Sequence, residues 1–168
     1  MRVAVTGTPG TGKTTAVERV DTGLQVVHLN DVVREQGFDT GIDDERGSVV
    51  ADMEALTDWL ADREDVLVES HLAHQFPMDR VVVLRCHPDE LERRLTERGE
   101  TDAKARENAE AEALDVVLSE AVERHGLDSV YEIDTTDLTP DETAAEIEAV
   151  VAGERDPSAG EVQFIDYL

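Results

Sequence analysis

Short apolar runs alternate with amphipathic stretches along most of the sequence. The apolar runs are rich in valine, and we predict strands over residues 2–6, 25–29, 66–71, 81–85 and 129–133. The stretches between them carry apolar residues at helical spacing, and we predict helices around residues 14–20, 32–34, 49–63, 89–98, 101–125 and 140–151. Nearly continuous apolar strands separated by helices are typical of parallel sheets. The pattern therefore predicts a three-layer α/β domain with a five-stranded parallel sheet.

Local signals add three expectations to this pattern. Asn30 or Asp31 is expected to cap the short second helix. Residues 37–47 are polar and glycine-rich without a clear period, so we predict a loop there. Trp59 falls in register with the apolar face of the helix predicted over residues 49–63. We expect this side chain in the core rather than as a base-stacking platform.

The C-terminal end has two interpretations. Residues 153–160 have a loop-like composition, but residues 162–168 are apolar again. An apolar end of this kind either packs on the body of its domain or binds a partner. The sequence pattern leaves both alternatives open.

The length of 168 residues fits one domain with a substantial core. No run of 18 apolar residues is present, so no membrane-spanning helix is expected. The first predicted strand follows Met1 directly, and we therefore expect no signal peptide. Cys86 is the single cysteine and has no internal disulfide partner, which favours a reducing, cytoplasmic location.

Acidic residues strongly outnumber basic ones. The chain has 40 Asp and Glu against 15 Lys and Arg, a formal net charge of −25, and its only lysines are Lys13 and Lys104. Such self-repulsion is screened within about 3 Å at 1 M salt. Because the charge is spread over the whole chain rather than gathered in a patch for a basic partner, it is typical of a protein from a salt-accumulating halophilic archaeon. No basic stripe exists for direct nucleic-acid binding, which is therefore not expected.

A phosphate-binding motif lies between the first strand and the first helix. Residues 7–14 read G-T-P-G-T-G-K-T, which matches the Walker A pattern G-x-x-x-x-G-K-[ST]. Glycines let backbone N–H groups converge on an anion, and Lys13 can bridge the β- and γ-phosphates of ATP. Thr14 supplies a hydroxyl for Mg²⁺, and Thr15 stands where it can meet the α-phosphate. A glycine-rich turn without a ligand would need neither the lysine nor the threonine.

Charged residues at the ends of predicted strands and helices are candidates for binding the metal and the acceptor and for catalysing phosphoryl transfer. Glu69 ends the third predicted strand, where P-loop folds place the acid that holds Mg²⁺. His71 is expected on the same strand face as Glu69, where it is either a structural hydrogen-bonded histidine or a functional group. Arg34 follows the second strand where an acceptor phosphate would bind, and Arg94 and Arg98 precede a short loop that could act as a lid. From spacing alone, each arginine is either functional or part of a surface ion pair.

At these residues the chain resembles the small adenylate kinases of the isoenzyme-six or CINAP type, found in archaea and eukaryotic nuclei. The matching stretches are residues 6–15, 30–35, 66–71, 83–85, 95–99 and 108–112. The E-S-H strand end, the short R-G lid and the N-x-E-x-E helix are more diagnostic than the loop, which many kinases share. The resemblance implies a P-loop nucleoside monophosphate kinase-like fold and phosphoryl transfer from ATP to AMP. It also implies ATPase activity and a role in maturing the small ribosomal subunit through contact with one of its ribosomal proteins.

The resemblance also assigns site residues by position. The ATP site would comprise the loop residues Gly10, Gly12, Lys13, Thr14 and Thr15. Arg98 would be the lid arginine that contacts ATP. In a single domain over residues 1–168, the acceptor segment would run from about residue 29 to 52 and the lid from about 97 to 107, with a tail over 153–168.

Two positions depart from the family pattern. Glu69 stands where the family usually has Asp, so a longer side chain must reach the same metal shell. Glu100 stands where an aromatic residue is common after the R-G of the lid. An acidic residue at position 100 is what we expect on the surface of a halophilic protein. Together, the two departures are compatible with a kinase of reduced activity.

The predicted function is a Mg²⁺-dependent nucleoside monophosphate kinase that converts ATP and AMP to two ADP. Lys13 and Arg98 would offset charge on the transferred group, and Thr14 with Glu69 would hold the metal. Arg34 would bind the acceptor, and His71 would position the acceptor or a water molecule. The alternatives are an ATP-gated ribosome assembly factor with incidental kinase activity, and a kinase for another small acceptor.

Overall fold

Five parallel strands form the central sheet of the computed structural model, which describes residues 1–43 and 48–168. In chain order, the strands of these residues are β1 (Arg2–Gly7), β2 (Gln25–His28), β3 (Asp39–Asp43), β4 (Ser48–Ala51), β5 (Val66–Glu69), β6 (Arg80–Arg85) and β7 (Val130–Asp134). The central sheet has the order β2-β5-β1-β6-β7, and every neighbouring pair in it is parallel. The remaining two strands, β3 and β4, form a separate antiparallel pair.

Helices cover both faces of this sheet. They are α1 (Lys13–Val17), α2 (Leu29–Gln36), α3 (Met53–Ala61), α4 (Pro88–Glu97), α5 (Asp102–Ala113), α6 (Val116–His125) and α7 (Pro140–Val151). Successive residues of a strand point to opposite faces. Accordingly, Ala4 packs in a core cluster with α2, α3 and α6, whereas Val3 and Val5 pack in a second cluster with α1 and α7. The predicted three-layer fold with a five-stranded parallel sheet is confirmed.

The prediction of a loop over residues 37–47 is wrong for residues 39–43. These residues form β3, which pairs with β4 in the register Ile42 to Val49. Most of β3 is exposed on both faces, so it carries no alternation of apolar and polar residues for a sequence pattern to detect. Residues 44–47 of the same prediction lie outside the described residues.

The starts of the second and third helices also differ from the prediction. The helix predicted from residue 49 begins at Met53, because residues 48–51 belong to β4 and the Asp52 side chain caps α3 by accepting from Ala55 N. The second helix begins at Leu29 with His28 in the cap position, so neither Asn30 nor Asp31 caps it. Trp59 packs against the core cluster as expected, although it is half-buried and the Arg63 guanidinium lies 3.6 Å from its ring centre.

The long helix predicted over residues 101–125 is broken into α5 and α6. Asp115 lies between them in a left-handed conformation with φ 57°, which an uninterrupted helix would not permit. Its carboxylate accepts from Arg85 Nη2 at 2.5 Å. The break contains neither glycine nor proline, so the sequence gives no local signal for it.

Arg85 is a fully buried cation at the end of β6. Its Nε donates to Glu112 Oε1 at 3.1 Å and its Nη1 donates to Glu132 Oε1 at 2.7 Å, and both carboxylates are almost fully buried. With Asp115, three acids from α5, β7 and the turn between α5 and α6 surround one guanidinium. Buried charges are tolerated when they are paired and hydrogen-bonded in this way.

The C-terminal end packs on the body of the domain. The backbone N–H groups of Glu161 and Val162 both donate to Glu132 Oε2, at 2.9 and 3.1 Å. Phe164 is buried and its ring centre lies 5.3 Å from that of His87. The structure therefore shows the first of the two alternatives for this end. No helix in the described residues is both long enough and apolar enough to cross a membrane.

Candidate functional site

The P-loop connects β1 to α1 and packs closely against α4. Gly10 has a φ of 94°, and a Cβ built on it would come within 2.9–3.0 Å of Leu91 and Leu95 side-chain atoms. Gly12, at the N-terminal cap of α1, has a φ of 93°. Both positions therefore require glycine, the first for space and for its dihedral angle, the second for its dihedral angle. The loop is held in the shape that lets backbone N–H groups converge.

Lys13 folds back over this loop. Its Nζ donates to the carbonyl oxygens of Gly7 and Thr8, at 3.0 and 3.2 Å, and the residue is only 8% exposed. Burial is the main cause that lowers the pKa of Lys13 to about 8; Glu69 opposes this change, and Arg98 adds to it. The ammonium is thus held by weak carbonyl acceptors where a phosphate would satisfy it better.

Thr14 and Glu69 bring oxygen ligands together beside the loop. The Thr14 hydroxyl donates to Glu69 Oε1 at 2.6 Å, and Glu69 is only 4% exposed. A buried carboxylate next to a hydroxyl is an oxygen donor set of the kind that Mg²⁺ prefers. Among the described residues, no group of three or more His, Cys, Asp or Glu side chains could hold a metal by itself. The Thr14 hydroxyl and the Glu69 carboxylate fit a Mg²⁺ ion as oxygen ligands.

One cavity gathers most of the predicted site. It has a volume of about 150 Å³ and lies directly over the P-loop. Its lining includes the predicted residues Gly10, Gly12, Lys13, Thr14, Thr15, Glu69, His71 and Arg98. Only Arg34 of the predicted site residues lies elsewhere.

His71 reaches the cavity from beyond the end of β5. The prediction that His71 belongs to this strand is wrong, because the strand ends at Glu69. The His71 side chain nevertheless borders the P-loop cavity together with Glu69. Although the imidazole is exposed to the open cleft, crowding by the surrounding protein and repulsion by Lys13 lower the pKa of His71 to about 4. The ring is therefore neutral near pH 7.

Arg34 borders a neighbouring cavity of about 300 Å³. The guanidinium lies on the exposed side of α2, where it pairs with Asp31. This second cavity also contains His71 and Asn30, which both line the P-loop cavity as well. The rest of its lining is mainly apolar: Leu29, Val33, Val49, Ala51, Leu56 and Leu72, with Ser70. The two cavities thus meet at His71 and Asn30.

The arginines at the end of α4 have different environments. Arg94 donates to Thr135 O at 3.1 Å and to Gly10 O at 3.5 Å, so it ties the loop after β7 to the P-loop. Arg98 is exposed, and its side chain makes no hydrogen bond or ion pair with residues 1–43 or 48–168. It borders both the P-loop cavity and a third cavity of about 490 Å³ between α4 and the loop after β7. Arg98 is therefore available to a ligand, whereas Arg94 has a structural role.

Three side chains near the site were not predicted from the sequence. Asn30 lines three cavities around the P-loop. Glu112 Oε1 accepts from the Thr8 hydroxyl at 3.3 Å, which connects the buried Arg85 cluster to the P-loop. His28 Nδ1 lies 3.2 Å from Glu69 Oε2. The N-x-E-x-E stretch contained Glu112, but no spacing rule relates residue 112 or residue 28 to a loop over 7–14.

The strand order and the P-loop site define the class of P-loop kinases with a nucleoside monophosphate kinase-like fold. A crystal structure of shikimate kinase from Bacteroides thetaiotaomicron superimposes with a TM-score of 0.58 at 17% sequence identity. The match covers 90% of this chain and 98% of the shikimate kinase chain. At this identity the similarity shows the shared fold alone.

Sequence similarity identifies the family. The profile of the family described as "AAA domain" matches residues 3–115. A Natronomonas pharaonis protein named "Putative adenylate kinase" is 63% identical over 168 residues, covering all of both chains. A protein of the same name from Halobacterium salinarum is 60% identical over the whole of both chains, and one from Methanosarcina acetivorans is 42% identical over 90% of this chain and 86% of its own. This chain therefore belongs to the AAA-domain family. Within that family it groups with the archaeal relatives named "Putative adenylate kinase".

These matches confirm the family resemblance drawn from the sequence motifs. Two of the relatives come from halophilic archaea, in agreement with the origin inferred from the charge of −25.

Proposed function

We propose that this protein is a Mg²⁺-dependent nucleoside monophosphate kinase that transfers the γ-phosphoryl group of ATP to AMP and forms two ADP. The observation that carries the proposal is the meeting of two cavities at His71. One cavity holds the P-loop lysine, the Thr14–Glu69 pair and Arg98, and the other is apolar and bordered by Arg34. The relatives named "Putative adenylate kinase" support the same assignment.

In-line transfer would occur where the cavities meet. An oxygen of the acceptor phosphate forms a bond to the γ-phosphorus while the bond from that phosphorus to the bridging oxygen of ADP breaks. Lys13 and Arg98 offset the negative charge on the transferred group, and Arg34 holds the acceptor phosphate after leaving Asp31. A bound Mg²⁺, held through Thr14 and Glu69, would neutralise charge on the β- and γ-phosphates.

The apolar cavity beside Arg34 suits the base of the acceptor. Small-molecule sites are mostly apolar with a few polar groups that fix orientation. The cavity volume of about 300 Å³ and its aliphatic lining meet this description, and Ser70, Asn30 and His71 supply the polar groups. A neutral His71 can orient the acceptor without adding charge.

The test is ADP formation from AMP and Mg-ATP by the full chain in molar KCl, with Lys13→Ala as the control. Transfer is expected only in the unmutated protein, because Lys13 is the buried cation of the loop. ADP formation no greater than that of Lys13→Ala would refute the kinase proposal. A screen of other nucleoside monophosphates in the same assay then determines whether AMP or another small acceptor is preferred.

ATP hydrolysis in the service of small-subunit assembly is the second candidate. The observation that favours it is the open position of His71 in the P-loop cavity, where the neutral ring can orient water as well as an acceptor phosphate. The net charge of −25 also suits a basic ribosomal protein, although adaptation to a salt-rich cytoplasm accounts for it equally. The test is a pull-down of small-subunit ribosomal proteins with this chain, in the presence of ATP or of ADP. A difference in recovery between the two nucleotides would support this function, and equal recovery would contradict it.

A further inference from the structure

Glu69 is held by two donors from two neighbouring elements. The Thr14 hydroxyl of α1 occupies its Oε1 at 2.6 Å, and His28 Nδ1 at the end of β2 occupies its Oε2 at 3.2 Å. His28 and Glu69 are paired residues in the parallel ladder between β2 and β5. The sheet itself therefore sets the distance between these two side chains.

The direction of the second hydrogen bond follows from the chemistry of the groups. An ionised carboxylate only accepts hydrogen bonds, so the Nδ1 of His28 must carry the hydrogen that it donates to Glu69. The glutamate side chain is only 5% exposed, whereas that of His28 is 28% exposed.

A glutamate at this position needs such a restraint more than an aspartate would. Its side chain has one more rotatable bond, and each rotamer-rich side chain costs conformational entropy when it is fixed. With Oε2 held by His28, rotation about the terminal bond is restricted and Oε1 stays beside the Thr14 hydroxyl. His28 is not among the described residues that line the P-loop cavity, so any effect on the site passes through Glu69.

We propose that His28 is a positioning residue that holds the Glu69 carboxylate in the orientation required for the Mg²⁺ shell. The proposal rests on the role of Glu69 in the proposed function, and it concerns metal binding rather than the identity of the acceptor. Partners that orient metal-ligating carboxylates typically change metal affinity by about 10–100-fold when they are removed.

The experiment measures Mg²⁺ binding by isothermal titration calorimetry, with Mg²⁺ titrated into the full chain saturated with ADP in molar KCl. His28→Ala and His28→Leu remove the donor, and the second keeps most of the side-chain volume. Both are expected to weaken Mg²⁺ binding by about tenfold, while ADP binding without Mg²⁺ stays unchanged. His28→Asn is expected to restore most of the affinity, because its amide nitrogen can donate from nearly the same place as Nδ1. Gln25→Ala, at the exposed start of the same strand, is the matched control and should bind Mg²⁺ normally.

Three results would overturn the proposal. The first is normal Mg²⁺ affinity in folded His28→Ala and His28→Leu proteins. The second is a His28→Asn protein whose Mg²⁺ affinity is as low as that of His28→Leu, because His28 would then have a purely structural role. Failure of both the Ala and the Leu variants to fold would lead to the same conclusion. The third is a further loss of Mg²⁺ affinity when His28→Ala is added to Glu69→Ala, because the effect should disappear with the carboxylate. Absence of AMP phosphorylation would refute the kinase proposal but would leave these binding results unaffected.

Discussion

The Thr14 hydroxyl donates to Glu69 Oε1 over 2.6 Å, and this bond joins the first turn of α1 to the end of β5. Glu69 is brought there by the parallel pairing of β1 with β5, in which Val5 and Glu69 are partners. The hydroxyl and the carboxylate are thus placed by different parts of the fold, one by the P-loop and one by the sheet. Their meeting places two oxygen atoms of the kind that Mg²⁺ prefers beside the P-loop.

Thr14→Val should reduce kinase turnover by about 100-fold, because valine keeps the shape of threonine but offers no ligand to the metal and no donor to Glu69. Thr14→Ser keeps the hydroxyl and should lose much less activity. Steady-state ADP formation at saturating AMP, with Mg²⁺ varied, checks both variants. Equal turnover in Val and Ser variants would show that the hydroxyl has no part in the reaction.

Arg98→Ala should reduce turnover by about 10³-fold with little change in thermal stability. The guanidinium has no partner in the described part of the chain, and an arginine that contacts the transferred group contributes about this much in other phosphoryl-transfer enzymes. Arg93→Ala, on the helix that Arg98 follows, is the matched control, since Arg93 is already paired with Glu90 and Glu97. Similar turnover in the Arg98 and Arg93 variants would show that Arg98 is a surface residue without a role in phosphoryl transfer.

Phe164→Ala should lower the free energy of unfolding by about 3 kcal/mol, because it removes a buried aromatic side chain that packs on His87. Leu168→Ala, at a residue that is 63% exposed, is the control and should change stability little. Urea unfolding in molar KCl gives both values. If the two variants were equally stable, the C-terminal end would not be packed on the domain in solution.

Much of this fold could be predicted because its strongest signals are local. Four of the five strands in the central sheet are largely buried on both faces, so they appear in the sequence as nearly continuous apolar runs, and the P-loop motif fixes the order of strand, loop and helix. The strand of exposed residues at Asp39–Asp43 has no such signal. At the helix break, Asp115 accepts from Arg85, which is 30 residues away, and no local pattern encodes a contact of that kind.

The candidate site shows the same division between local and long-range information. Eight of its predicted residues line one cavity because the motif and the strand ends bring them to the same edge of the sheet. His28 was missed because its partner, Glu69, belongs to a strand that is distant in sequence and adjacent in space. Sequence separation also hid the contact between Thr8 and Glu112, which only the packing of α5 against the loop creates.

ATP binding should be accompanied by proton uptake at about pH 8. Burial lowers the pKa of Lys13 from 10.5 to about 8 in the free protein, so roughly half of the molecules carry a neutral lysine at that pH. Phosphate groups favour the charged form and raise the pKa again, so the complex binds more protons than the free protein. ATP affinity should therefore fall as the pH rises above about 8.

The same shift predicts the direction of the pH dependence of stability. The unfolded chain binds more protons at Lys13 than the folded chain between about pH 8 and 10.5, so this residue makes the folded state more stable as the pH rises through that window. Nucleotide binding should cancel this contribution, because it restores the proton to the folded protein.

Calorimetry of ATP binding in two buffers with different ionisation enthalpies measures the proton uptake directly. We expect about half a proton at about pH 8 and a decrease towards zero at about pH 7, where Lys13 is already protonated in the free protein. His71→Asn is the control, since the pKa of His71 is lowered to about 4 and its ring gains no proton near pH 8. An enthalpy that is independent of the buffer at about pH 8 would mean that the Lys13 ammonium is already fully charged in the empty cleft. Loss of the uptake in His71→Asn would assign the proton to the histidine instead.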